Sequence, residues 1–239
     1  MSPRIDNLPD GSSSQRDNLN HQAIEDYLKT IYLLAEEENE ERVSTSRIAE
    51  AREVKPASVT NMVQRLAGLN LVDYEKHNGV KLTENGRQIA LEVIRHHRLI
   101  ELYLMEALGF SWDEVHEQAD ILEHVISEKL EERIAAALND PTVDPHGDPI
   151  PSLEGAIISV DMQPMASLQQ GDRGRVARIL DDANSDMLRY LADLGLVPGT
   201  KFRVRDVAPF DGPITLDLGG RGKVVGHNVA TSILVELLV

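Results

Sequence analysis

The sequence predicts a mainly α-helical chain that ends in a small β-barrel, and three observations predict it. Up to about Ala137 apolar residues recur at spacings of three and four, as along one face of a helix. That run is interrupted once, by two short alternating stretches around Asn78-Gly79, a strong hairpin signal. From Pro164 onward the pattern changes to short apolar stretches separated by turn residues, as in a small barrel.

A chain of 239 residues has material for one to three domains. Its net charge is −16, so bulk composition does not point to nucleic acid. Between Arg47 and Arg87, however, seven Lys and Arg face five Asp and Glu, a local excess of two positive charges. Cysteine is absent, which excludes disulfides, thiolate metal sites and iron–sulfur clusters. No apolar run approaches membrane-spanning length and the first 20 residues lack a signal-peptide core, so a cytoplasmic protein is expected.

Residues 1–19 are polar, with Ser12, Ser13 and Ser14 beside Gly11, and read as a flexible arm. Ile24 to Glu36 is an amphipathic helix, with Asp26 close to its apolar face. Ser44-Thr45-Ser46 caps a short helix over about Ser46 to Ala51. A turn at Glu53-Val54-Lys55 leads to Pro56 at the first position of a second helix, where a missing N–H costs nothing. That helix buries Val59, Met62, Val63 and Leu66 and shows Lys55, Ser58, Thr60, Asn61 and Arg65 outward. Two short helices and a tight turn suggest a helix-turn-helix, in which Asn61 could pair with a base edge and Arg65 with phosphate. Strands at 71–76 and 80–82 around the His77-Asn78-Gly79 turn add a wing, on which Lys76, His77 and Lys81 could touch DNA backbone, and Arg47 is a further candidate DNA contact. Thr83 then starts one or two helices reaching Leu108.

Trp112 to Ala137 reads as one long helix, with an apolar stripe at Val115, Ala119, Leu122, Ile126 and Leu130. At about 100° per residue, His116, Asp120, Glu123 and His124 point at roughly 0°, 40°, −20° and 80°, inside a third of the circumference. Two imidazoles and two carboxylates at the edge of a buried face suit a divalent metal. His97 and Glu101, four apart on the preceding helix, would face His116 across a hairpin capped by Ser111. His96 points elsewhere, and His146 is given no role. Leu99, Ile100, Leu102, Tyr103 and Leu104 cover much of the first helix, so a second subunit is a natural neighbour. NDPTVDPHGDPIPSLE, with four prolines, reads as an extended connection. The expected parts are an arm over 1–19, a winged helix-turn-helix over 20–86, a helical domain over 87–140, a linker over 141–162 and a β domain over 163–239.

Four stretches together, IEDYLKTIY at 24–32, HRLIE at 97–101, VHEQADILEHVISE at 115–128 and NDPTVDPHGDPIP at 139–151, resemble the diphtheria toxin repressor family of metal-dependent repressors. The last region looks like that family's SH3-like barrel, itself similar to ferrous-iron transport A proteins. The resemblance implies a winged-helix homodimer on double-stranded, palindromic operator DNA, a helical metal-binding and dimerisation domain, and two metal sites. One would fall on Asp26, Asp120, Glu123 and His124, the other on His97, Glu101 and His116. Iron-sensing members carry Met and Cys where Asp26 and Asp120 stand, and manganese-sensing members carry carboxylates, so Mn²⁺ is expected, with Fe²⁺ the alternative. Lys29 stands where manganese-sensing members often have a further Glu, which bears on the number of ions. Members with the barrel also lend an acid and an amide from it; the aligned positions here are Asn184 and Met187, with Asp182 and Asp186 nearby. Two other readings of the same residues are a di-metal hydrolase, for which no separate base or phosphate loop is evident, and a winged-helix repressor sensing an organic ligand, which leaves Asp26 and Asp120 unexplained.

Overall fold

A computed structural model describes residues 11–158, 160–180 and 183–238, with the backbone alone for 11–20. The chain divides into two units, one up to Ile94 and one from Arg95.

The first unit begins with helix α1 (Gly11–Glu38), which starts well ahead of Ile24 and takes in part of the stretch expected to be a flexible arm. A nucleated helix propagates cheaply into residues of middling propensity, so the amphipathic segment extends upstream. Residues 1–10 of that arm lie outside the described residues. Helix α2 (Thr45–Ala51) is capped by Ser44, whose hydroxyl accepts from the Arg47 N–H. Helix α3 (Pro56–Gly68) starts at Pro56 as expected. Strands β1 (Val72–Glu75) and β2 (Gly79–Leu82) pair antiparallel as the wing, with His77 and Gly79 at positive φ in the turn. Tyr27, Leu28, Ile31, Ile48, Val59, Val63, Leu66, Val72 and Val80 form one core beneath these elements. Helix α4 (Glu84–Leu108) is a single helix, opened by Thr83, whose Oγ1 accepts from the Gly86 N–H. A Cβ on Gly86 would stand 2.0 Å from the Leu71 carbonyl oxygen, so only glycine lets helix and wing approach there.

The second unit takes the rest of α4, then α5 (Val115–Leu122) and α6 (Glu128–Ala137). The long helix expected over Trp112 to Ala137 is therefore broken. Val125 N–H bonds Leu122 O, and Ser127 is extended and starts α6. Adjacent β-branched Val125 and Ile126 lower helix propensity there, and Ser127 is a residue type that favours a new start. Phe110-Ser111-Trp112 turns the chain between α4 and α5, and Ser111 binds the Glu114 carboxylate through both its N–H and its hydroxyl. The proline-rich connection is not simply extended. A bridge pairs Val143 with Pro149, closing a tight loop that buries Asp144, His146 and Asp148.

The C-terminal part is a six-stranded sheet in the order β3-β8-β4-β5-β6-β7. The strands are β3 (Gln163–Pro164), β4 (Arg173–Ile179), β5 (Lys201–Val207), β6 (Ile214–Leu218), β7 (Arg221–Val225) and β8 (Ile233–Leu237). This corrects the expected barrel: the described strands make an open sheet, with β3 and β7 at its edges. Helices α7 (Ser185–Leu194) and α8 (His227–Thr231) lay Leu188, Leu191 and Ala230 on the apolar face with Met165, Val204 and Ile214. Helices thus bury the face that a closing sheet would otherwise have to cover. Among the described residues no helix is long and apolar enough to cross a membrane.

Candidate metal centre and nucleic-acid surface

Helix α4 places His97 and Glu101 one turn apart, α5 does the same for His116 and Asp120, and the turn ending α5 holds Glu123 and His124. Ile100, Leu104, Val115 and Ala119 pack α4 against α5, and that apolar register brings the polar faces together. His97 Nε2 lies 3.0 Å from Glu101 Oε1 and 3.2 Å from His116 Nδ1, which is itself 3.2 Å from Glu101 Oε1. On its other side His97 Nδ1 lies 2.5 Å from Glu123 Oε2 and 3.3 Å from Asp120 Oδ1. His116 Nε2 is 3.7 Å from Asp120 Oδ2, and His124 Nε2 is 3.4 Å from Glu123 Oε1. The two ligand sets read from the sequence are thus one connected cluster in this unit, with His97 joining them. Its atoms are all carboxylate oxygen or imidazole nitrogen.

Asp26 belongs to the other unit. There its carboxylate pairs with Arg52 at 2.8 Å, while that guanidinium also sits 5.4 Å above the Tyr27 ring. Lys29 is half-buried on the same helix.

Sequence reasoning missed Asp144 and His146. The loop between Val143 and Pro149 carries both to Glu101, and the three residues offer ligand atoms within 4.8 Å of one another, all buried. Glu101 Oε2, Asp144 Oδ2 and His146 Nδ1 are buried without a hydrogen-bond partner. Glu101 Oε1, by contrast, faces His97 and His116. Burial opposes charge on Glu101, but His97, His116 and His146 outweigh it and hold the carboxyl well below its ordinary value. Burial also opposes charge on His146. Glu101, 3.7 Å away, and Asp144 outweigh it and raise the imidazole to about 9. Asp144 goes the other way, pushed well above the carboxylate range by burial and then by Asp148 and Glu101. Unpartnered oxygens and a nitrogen converging in a buried space fit a divalent cation, which would satisfy all three. The only hint of this in the sequence was the spacing Asp144-Pro145-His146 in a region without periodicity. His96, read as pointing away, is buried and donates to the Glu123 carbonyl.

Asn184 caps α7 by accepting from the Met187 N–H, Asp186 is exposed and pairs with Arg189, and Met187 packs on the sheet core. Asp182 lies outside the described residues.

On α3, Ser58, Asn61 and Arg65 are exposed together with the preceding Lys55, so the expected outward face is present. Thr60 is half-buried and its hydroxyl donates back to the Pro56 carbonyl. Lys76 is exposed on the wing. Arg47 is held by Glu38 and Glu50, at 2.7 Å each, so a phosphate would have to compete with two carboxylates for it.

Three family models match the chain. Residues 21–80 match the N-terminal DNA binding domain of the iron dependent repressors, residues 83–152 their metal binding and dimerisation domain, and residues 163–237 the FeoA domain. The chain is 34% identical over 223 residues to the iron-dependent repressor IdeR of Mycobacterium tuberculosis (strain H37Rv), covering 88% of this chain and 95% of that protein. It is 30% identical over 221 residues to the diphtheria toxin repressor of Corynebacterium diphtheriae, covering 89% and 96%. A solved manganese-dependent transcriptional repressor in complex with manganese superposes with a TM-score of 0.80 at 39% identity, over 90% of this chain and 100% of that one. The manganese regulator SloR gives 0.70 at 34%, over 90% and 98%. Likeness of this degree along nearly the whole of both proteins leads to one conclusion: the chain belongs to the diphtheria toxin repressor family of iron- and manganese-dependent transcriptional repressors, a family of regulators and not of enzymes.

Proposed function

We propose that the chain is a Mn²⁺-responsive repressor, with Fe²⁺ the alternative ion, acting in the cytoplasm as a homodimer on operator DNA. The observation that carries this is the sulfur-free cluster of His97, Glu101, His116, Asp120 and Glu123, extended by the unpartnered atoms of Glu101, Asp144 and His146. Carboxylate and imidazole suit Mn²⁺ and Fe²⁺, and without a thiolate the set does not favour softer ions. His97, Glu101 and His116 would hold one ion, and Asp144 and His146 would hold a further one with Glu101 on its other side. Asp120, Glu123 and His124 would hold another together with Asp26. The ion supplies positive charge that gathers these groups; the side chains select it and set its position. Asp26 is paired with Arg52, so an ion taking that carboxylate would replace or share the contact.

On DNA, Asn61 would read a base edge from the major groove, with Lys55, Ser58, Thr60 and Arg65 beside it on α3 and Lys76 on the wing. Ile121, Val125 and Leu130 are exposed apolar residues on α5, α6 and the turn between them, which supports a second copy covering this part of the chain. The test is operator binding by the metal-free protein with Mn²⁺, Fe²⁺ and Zn²⁺ added in turn. Mn²⁺ and Fe²⁺ should both activate in the absence of oxygen. Zn²⁺ should bind yet activate less, because it prefers lower coordination. Activation by Zn²⁺ alone contradicts the reading.

A further inference from the structure

Strand β4 carries a bulge between Val176 and Arg178, and both residues after Val176 meet the loop that holds Asp144 and His146. The Ala177 carbonyl oxygen lies where a Cβ on Gly147 would be only 1.9 Å away, so the strand and the loop backbone touch at a glycine with φ +90°. Two residues further along the strand, the Ile179 N–H donates to the His146 carbonyl at 2.9 Å. Arg178 reaches Asp148 Oδ1 at 2.5 Å, and Arg98 of α4 reaches the same oxygen at 2.9 Å. Inside the loop, Asp144 Oδ1 accepts from the N–H groups of His146 and Asp148 at 2.8 and 2.9 Å. The His146 ring is fixed as well. Its Nε2 lies 2.8 Å from the Trp112 carbonyl, which can only accept, so Nε2 carries the proton when the ring is neutral and Nδ1 is left toward Glu101. Trp112 in turn packs against the sheet core.

We propose that the C-terminal sheet positions the buried Glu101–Asp144–His146 group, with Arg178 as the positioning residue that acts through Asp148. The bulge turns one carbonyl and one guanidinium out of the β ladder and onto the loop, the re-aiming that bulges commonly perform. Arg178 and Arg98 share one carboxylate and thereby tie β4 to α4. Because Asp144 and His146 are four and two residues before Asp148, loosening that tie lets both swing away from Glu101. The sheet thus sets affinity at this group by holding its loop. Partners of this kind around metal ligands are worth roughly 10–100-fold in metal affinity.

This inference rests on the reading that Glu101, Asp144 and His146 take a divalent ion, so its test separates the two. Full-length protein is titrated with Mn²⁺ as wild type, Asp144→Asn, Arg178→Met and Arg178→Lys, and amide hydrogen exchange at Gly147 and Ile179 is followed without metal. Asp144→Asn should remove one ion per chain. Arg178→Met should keep the stoichiometry, weaken one binding step at least tenfold and speed exchange at both amides; Arg178→Lys should restore most of the affinity. Should Arg178→Met fail to fold, Arg178→Gln, which keeps a donor, carries the same expectation. An Arg178→Met protein with wild-type Mn²⁺ affinity overturns the positioning role while Asp144→Asn still loses its ion. Full Mn²⁺ stoichiometry in Asp144→Asn overturns the site and the inference together.

Discussion

His146 sits between Glu101 and Asp144, and its raised value of about 9 fixes the sign of a pH effect on the metal-free fold. A histidine whose folded value exceeds its ordinary 6.5 adds stability that is fully present below 6.5 and is lost as pH rises through about 9. In chelator, the protein should lose up to roughly 3 kcal/mol between those limits. His146→Gln should flatten that part of the melting-temperature profile; an unchanged profile would mean the pairing does not form. At this scale the sequence was uneven. His97, Glu101, His116 and Asp120 were legible because i, i+4 spacing on a helix puts pairs on one face whatever the tertiary structure. Asp144 and His146 were not, because nothing in a proline-rich loop says which way a side chain turns. That Glu123 would reach His97 depended on how α4 packs against α5, which spacing within one helix does not reveal.

Helix α3 is the element whose exposed face carries the sequence-reading claim. Asn61→Ala should abolish discrimination between operator and scrambled DNA. Arg65→Ala should weaken all sequences about equally and lower the salt slope by about one. If both leave operator binding unchanged, α3 is not the reader. The junction of wing and α4 gives a stability test: Gly86→Ala must push the Leu71 carbonyl aside, at a cost of about 2–3 kcal/mol read as a lower denaturation midpoint. Elements with strong local signals matched their expected bounds closely. Pro56 opened α3, Asn78-Gly79 made the wing turn, and α7 covered Ser185–Leu194. Closure of the β domain was not legible, because it depends on whether edge strands meet, and two-residue β3 leaves no pattern to read.

For the whole molecule the question is how an ion bound in one unit changes what the other does on DNA. Asp26 lies on α1 of the first unit, whereas Asp120, Glu123 and His124 lie in the second. An ion held by both groups exists only in one relative orientation and shifts the population toward it. Linkage then requires reciprocity: operator DNA should tighten Mn²⁺ binding by the same factor that Mn²⁺ tightens operator binding, which paired titrations can check. His97→Ala should have a milder effect than Asp120→Ala on metal-dependent DNA binding, because His97 belongs to the ligand set that does not include Asp26. The measurement that bears most directly on this account is operator affinity of Asp26→Ala with and without saturating Mn²⁺, alongside the mass of the dimer. The account predicts an intact dimer that binds operator weakly whether or not Mn²⁺ is present. An Asp26→Ala protein that still gains full operator affinity on adding Mn²⁺ would contradict it.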